Sequence, residues 1–132
     1  MQTFLPYANF KQVALCLDYR RLGKQRVEAS QIISTIVNGS RWINHPAVKM
    51  WKNHINALSL YMNCMIEEWI RRGYINNMKI VTITHPIMYP DWLGNEDFHA
   101  SHRSNLLRKK YDWYIRFGWT EPIDLDYIWP VK

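Results

Sequence analysis

Polar side chains concentrate between residues 98 and 110, a stretch without Gly or Pro. This composition predicts a helix, on which residues three and four positions apart are neighbours. His99, His102 and Arg103 therefore share one face, and further polar residues form the adjoining stripe: Ser101, Ser104, Asn105 and Arg108. Such a surface suits an anionic ligand or one rich in hydrogen-bonding groups. The alternative is a solvated face on a helix that packs through its leucines.

The two imidazoles at this spacing could bind a metal ion together, but no third ligand is indicated beside His99 and His102. Catalytic zinc takes three protein ligands and structural zinc takes four. We therefore expect neither a metal ion nor another cofactor.

Four cationic side chains crowd the segment after the predicted first helix: Arg20, Arg21, Lys24 and Arg26. Cations this close together need an anion or a carboxylate beside them, and Glu28 is one local candidate. A carboxylate among cations is held ionised, so it can stabilise a developing cation or move a proton. The alternative for Glu28 is a structural ion pair with Lys24, one helical turn before it.

The chain as a whole is basic and aromatic. It carries a formal charge of +6 and includes seven Trp, eight Tyr and four Phe in 132 residues. Positive charge attracts phosphates regardless of sequence, and exposed aromatic rings can stack on unpaired bases. These properties together favour a nucleic-acid partner.

Two further features concern the cellular environment. No apolar run approaches the ~20 residues of a membrane span, and Met1–Pro6 lacks the features of a signal peptide. Cys16 and Cys64 lie in apolar stretches, which favours buried thiols in a reducing cytosol over a disulfide. We therefore expect a cytoplasmic protein without a membrane partner.

Helical periodicity dominates the first half of the chain. Asn9 is a predicted N-cap for a first helix, and Asn38-Gly39 is a C-cap signal for a second. Gly23 predicts a break or bend between the two. Apolar residues then recur every three or four positions from Pro46 to Arg72, which predicts one long central helix ended by Gly73.

The remaining segments are less regular. Residues 3–8 are predicted to be extended, and residues 79–84 to be either a strand or an extended connection. An aromatic segment and a Pro-bearing tail follow residue 110. The predicted fold is all-α (mainly α), a single domain over residues 1–132. It is a compact bundle around one long central helix, with an extended N-terminal segment and an aromatic C-terminal tail.

Four short motifs occur in a particular order along the chain. They are Tyr19-Arg20 followed by Leu22, the helix end at residues 67–74, the His99-Ala100-Ser101 helix, and residues 113–118. In this order and spacing the sequence resembles the pyrimidine-dimer DNA glycosylase family, whose best-known member is the bacteriophage endonuclease V type of enzyme. The runs at residues 22–29 and 98–109 resemble an uncharacterised bacterial branch of it more closely.

The resemblance implies a helical protein that kinks double-stranded DNA at a pyrimidine dimer and displaces a base. It further implies cleavage of the glycosidic bond through a Schiff base with the N-terminal amine, then β-elimination at the abasic site. An α-amine has a pKa near ~8, so a useful fraction is nucleophilic at neutral pH. Arg20 matches a DNA-contacting Arg of the family, and Trp113, Tyr114 and Phe117 match an aromatic segment near the lesion.

Two positions depart from the family pattern. Arg21 stands where the phage enzyme has its catalytic Glu, and bulky Gln2 after Met1 should hinder removal of Met1. The surviving lyase chemistry would therefore use the amine of Met1, with Glu28 as the substitute carboxylate.

The first hypothesis is a monomeric DNA glycosylase and AP lyase for damaged or modified pyrimidines. In it Met1, Glu28, His99 and His102 are catalytic. The residues expected to bind DNA are Arg20, Arg21, Lys24, Arg26, Arg103, Ser104, Asn105, Arg108, Trp113 and Tyr114. The second hypothesis is a binding module that kept the fold without the reaction, and the third is a different reaction on a nucleotide or RNA at the His99–His102–Arg103 helix.

Overall fold

The computed structural model describes residues 1–131, which form helices and no strand. The α-helices are α1 (Phe10–Cys16), α2 (Tyr19–Asn38), α3 (Pro46–Lys49), α4 (Ile55–Arg71), α5 (Glu96–Lys109) and α6 (Tyr111–Tyr114), with a final 3-10 helix at Ile115–Phe117. The prediction of an all-α class is confirmed. No helix within residues 1–131 has the length and apolarity that a membrane span requires.

Side-chain caps define where the predicted helices begin. Asn9 Oδ1 accepts the Gln12 backbone N–H at 3.0 Å and starts α1. His45 Nδ1 accepts the Ala47 N–H at 3.0 Å, with Pro46 in the first turn of α3. Each cap satisfies a backbone donor that has no partner inside its helix. These starts are therefore set by local sequence.

Gly23 lies inside a continuous helix, so the predicted break at this position is wrong. A Cβ atom there would lie 2.9 Å from a ring carbon of Trp69 on α4. Real Cβ contacts are essentially never that short. Gly23 therefore lets α2 and α4 approach closely. The glycine at this position serves helix packing and does not break the helix.

The predicted central helix is interrupted. It divides into α3 and α4, with turns at residues 50–53. In the turns, the backbone N–H groups of Trp51 and His54 bond carbonyls three residues earlier, at 3.1 and 2.8 Å. Asn53 and His54 are weak helix formers, and the turn still buries Trp51, so the apolar periodicity continues across the interruption. α4 packs against α2 and α1 and forms the centre of the core.

Residues 79–84 are an extended connection, one of the two predicted outcomes. Val81 pairs with a side chain where a strand would pair with a neighbouring strand. Asn63 Oδ1 accepts the Val81 N–H, and Asn63 Nδ2 donates to the Val81 carbonyl, both at 2.9 Å. A single amide thus satisfies one residue of extended backbone.

Candidate functional site

An extended segment, residues 2–6, lies buried between the helices and leads Met1 to the surface. Gln25 on α2 holds its first half. Gln25 Oε1 accepts the Phe4 N–H at 2.9 Å, and Gln25 Nε2 donates to the Gln2 carbonyl at 3.0 Å. The Tyr61 hydroxyl of α4 lies 2.8 Å from the Phe4 carbonyl and 2.7 Å from Gln25 Oε1. Buried backbone groups need such partners, so these side chains do the work of a neighbouring strand.

Two histidines of α5 hold the next residue from both sides. His102 Nδ1 accepts the Leu5 N–H at 2.9 Å, and His99 Nδ1 donates to the Leu5 carbonyl at 2.7 Å. His99 Nε2 in turn accepts the Gly94 N–H at 3.0 Å. Both imidazoles are buried; burial lowers the pKa of His102 to about 3 and also lowers the pKa of His99. These neutral rings bind protein backbone.

Arg103 completes the hold on this segment. Its Nη1 donates to the Pro6 carbonyl at 2.8 Å, and its Nε donates to Glu121 at 3.0 Å. A second carboxylate, Glu96, bonds its Nη2. A buried guanidinium of this kind is stable only when its charge is paired. Arg103 thus has two carboxylates and one carbonyl inside the protein.

The adjoining stripe of α5 holds the C-terminal tail. Ser104 Oγ accepts the Leu125 N–H and Asn105 Nδ2 donates to the Leu125 carbonyl, both at 3.0 Å. Arg108 Nη1 donates to the Ile123 carbonyl at 2.7 Å. The expected open polar face on this helix is therefore wrong for the buried residues His99, His102, Arg103, Ser104 and Asn105. Sequence composition identified an unusual helix, but its partners are the two ends of the chain.

A cavity opens where Met1 meets α2. It has a volume of about 620 Å³, within the range of ligand-binding pockets. Its lining residues are Met1, Gln2, Phe4, Tyr19, Arg20, Arg21, Gly23, Lys24, Gln25, Arg26, Glu28, Trp69 and Lys109. The structure thus brings together the predicted basic cluster, Glu28 and Met1.

Cations dominate this cavity. Arg20 and Lys24 are exposed, and neither forms an ion pair within residues 1–131. Arg21 is held by Asp18, at 3.2 Å. Lys109, from the end of α5, adds a cation that local sequence spacing could not place here. The wall is suited to the phosphates of a polyanionic ligand.

Glu28 is the only carboxylate among the lining residues of the cavity. Its Oε2 accepts the Gln2 backbone N–H at 3.3 Å and the Gln25 side-chain amide at 3.1 Å. Within the part of the chain that the structure describes, Glu28 forms no ion pair with Lys24, so the structural alternative is wrong. Because Gln2 directly follows Met1, this hydrogen bond holds the Glu28 carboxylate close to the N-terminal end of the chain.

His45 and Tyr127 lie close enough to Glu28 to feel its charge, and neither was predicted from the sequence to belong to the site. Burial, reinforced by the positive charge of the N-terminal amine, lowers the pKa of His45. Burial raises the pKa of Tyr127 to about 12, and Glu28 acts in the same direction. Both side chains are therefore neutral at pH 7. A local sequence signal marks His45 only as a helix cap, directly before Pro46.

The aromatic segment near residue 113 does not reach this cavity. Tyr114 is buried, and its hydroxyl accepts the Asp18 backbone N–H at 3.1 Å and donates to the Asp18 carboxylate. The expectation that Tyr114 stacks on a base is therefore wrong. Trp113 donates its Nε1 to the Cys16 carbonyl at 2.8 Å and lies beneath Arg116, 4.0 Å from the ring centre. A DNA contact by Trp113 stays a prediction.

Metal-binding residues do not converge anywhere in residues 1–131. No group of three or more His, Cys, Asp or Glu side chains in that range is placed to hold an ion.

The helical fold places five cationic side chains and a single carboxylate around one cavity, an arrangement suited to a polyanionic ligand. A model of the pyrimidine dimer DNA glycosylase family matches residues 1–82, which include α1 to α4 and all of the cavity lining except Lys109. The chain belongs to this family of DNA repair glycosylases. No curated protein and no solved structure matches the chain.

Proposed function

We propose that this protein removes damaged or modified pyrimidines from DNA and nicks the resulting abasic site, with the amine of Met1 as nucleophile. One observation carries the proposal. The buried segment at residues 2–6 is fixed by side chains and leads Met1 into a cationic cavity beside Glu28. A fixed nucleophile next to a charged partner lowers the entropic part of the barrier. Family membership supplies the substrate class.

The reaction follows from these groups. The amine nitrogen attacks C1′ of the damaged nucleotide, and the base leaves with the electron pair of the glycosidic bond and takes up a proton. Loss of the amine proton and opening of the sugar ring give an iminium ion at C1′. Removal of a C2′ proton then breaks the C3′–O bond and releases the 3′ phosphate. Water finally hydrolyses the imine and regenerates the amine.

Glu28 has two tasks in this scheme. Its negative charge stabilises the iminium ion, and its carboxylate accepts the C2′ proton. The exposed cations Arg20 and Lys24 bind the flanking phosphates. Arg21 would add to the positive potential, although its guanidinium is held by Asp18.

Borohydride trapping on an abasic duplex tests the proposal. We expect a covalent adduct with the wild-type protein, and none when a short extension before Met1 moves the amine out of the cavity. Mass measurement of the intact protein must first show that Met1 carries the free amine. Glu28→Gln should lower the rate of incision by about 10²- to 10⁴-fold, the usual contribution of a general acid or base.

Glu67→Gln is the matched control, because it makes the same change at an exposed carboxylate outside the cavity. Incision equal in Glu28→Gln and Glu67→Gln would contradict the role of Glu28. Tight binding to damaged DNA without any adduct would contradict the lyase chemistry. That result would support the second hypothesis, a binding module, which the Arg21 departure favours.

A further inference from the structure

Three aromatic rings, those of Tyr19, Trp69 and Tyr74, pack together beside the cavity. Tyr19 and Trp69 form part of its apolar lining. Tyr19 stacks on Trp69 with 5.3 Å between ring centres and 20° between planes. Tyr74 closes the group, 4.7 Å from Tyr19 and 4.5 Å from Trp69. Trp69 is only 9% exposed, whereas Tyr19 is 52% exposed. Tyr74 is 38% exposed, so Tyr19 and Tyr74 share the open surface of the cluster, but of these two only Tyr19 lines the cavity.

The surroundings of Trp69 hold the cluster in place. Gly23 leaves room for the indole, whose Nε1 donates to the Ile75 carbonyl at 2.9 Å. The Arg26 guanidinium lies 4.3 Å from the ring centre and donates to Asn76 Oδ1 at 2.8 Å. A guanidinium over an indole face gains cation–π energy and limits movement of both groups. Tyr19 thus rests on a rigid support.

We propose that Tyr19 is the stacking platform for a nucleobase displaced from the DNA duplex. Base–aromatic stacking is sequence-tolerant because every base has a π face, so one ring can accept any displaced base. Arg20 and Lys24 lie on the same first turns of α2, placed to hold the phosphates on either side. The inference rests on the proposed function for the entry of DNA into this cavity.

Neither residue of the expected alternative platform, Trp113 or Tyr114, lines this cavity. Tyr114 is buried against Asp18, and Trp113 lies under Arg116. Tyr19 and Trp69 both line the same cavity as Met1 and Glu28. A base displaced at the reacting nucleotide, or at its partner strand, therefore meets this platform in the same cavity as the amine.

Equilibrium binding to uncleavable duplexes tests the platform separately from the chemistry. Tyr19→Ala should raise the Kd by about 5- to 100-fold, the range of one lost base stack. Tyr19→Phe keeps the ring and should bind like the wild type. Tyr89→Ala is the matched control, because Tyr89 is also 52% exposed and lies outside this cavity. Circular dichroism checks that each variant folds.

Three duplexes identify the source of the base. The first has a tetrahydrofuran abasic site opposite adenine, the second has abasic sites on both strands, and the third has a thymine dimer. The dimer is measured in a Glu28→Gln background to prevent turnover. A penalty on the first duplex that disappears on the second assigns Tyr19 to the opposing base. A penalty on the dimer alone assigns it to the damaged base.

The outcomes separate the two proposals. Equal Kd values for Tyr19→Ala and Tyr89→Ala on all three duplexes would overturn the platform, whatever the trapping experiment shows. A penalty specific to Tyr19→Ala with no trapped adduct in the wild type would uphold the platform and overturn the lyase. A loss of binding by Tyr19→Phe as large as that of Tyr19→Ala would also overturn the platform, because the ring remains.

Discussion

Acidification should weaken this protein through the histidine that holds Leu5. His102 is buried, and burial lowers its pKa from 6.5 to about 3. Between these values the unfolded chain binds a proton that the folded chain excludes, so stability falls as the pH falls. Each pH unit in that window costs about 1.4 kcal/mol. From pH 6.5 to 5.0 the contribution of His102 is therefore about 2 kcal/mol of lost stability.

His102→Asn isolates this contribution. The asparagine oxygen can still accept the Leu5 N–H, but the ring contacts with Phe98 and Tyr127 are lost. We expect the variant to be less stable at pH 7, by roughly 2–4 kcal/mol for the packing defect. Because the variant has no imidazole at this position, the gap should shrink by about 2 kcal/mol between pH 7.0 and 5.0.

Urea unfolding followed by tryptophan fluorescence at several pH values measures both curves. His85→Asn removes an imidazole at an exposed position and serves as the control. Carboxylate titrations are common to all three proteins and cancel in the differences. Parallel stability curves for the wild type and His102→Asn would refute the assignment of a neutral, backbone-bonded His102.

Three further changes test other contacts. Gly23→Ala should destabilise the protein by roughly 1–3 kcal/mol, although alanine has the better helix propensity, because the new Cβ overlaps the Trp69 ring. Thermal unfolding measures this change, and an unchanged melting temperature would mean that α2 and α4 can separate freely. Tyr114→Phe should cost roughly 1–3 kcal/mol, because the buried Asp18 backbone N–H loses its acceptor and the Asp18 carboxylate keeps only Arg21 as a partner. DNA affinity should stay unchanged; weaker DNA binding would restore Tyr114 as a contact. Lys24→Gln should reduce the salt dependence of DNA binding by about one phosphate contact, measured as the slope of log K against log salt; an unchanged slope would place the DNA elsewhere.

Part of the fold could be predicted from the sequence because it depends on interactions between neighbouring residues. The Asn9 cap and the Asn38-Gly39 helix end depend on neighbouring residues alone, and both occur where expected. The grouping of Glu28 with the cations of α2 is also local, because these residues share one helix. Such features need no knowledge of distant contacts.

Long-range contacts account for the errors. The pattern of α5 showed an unusual density of polar groups, but no spacing rule states whether a polar face meets solvent, a ligand or buried backbone. Gln25 drew no attention for the same reason, since its partners at residues 2–4 lie 21 or more positions away. Gly23 could not be interpreted from the sequence alone, because a glycine is found both at helix breaks and where two helices pack closely.

The hold on Leu5 also sets an order of events during synthesis. Its two imidazole partners lie 94 and 97 residues further along the chain, so they leave the ribosome long after Leu5 does. Segments with such distant partners wait for them before they can settle. A nascent chain would display the cations of α2 early, while the segment that carries Met1 stayed unplaced until α5 had formed. The proposed nucleophile would then be aligned in the cavity only in nearly finished molecules.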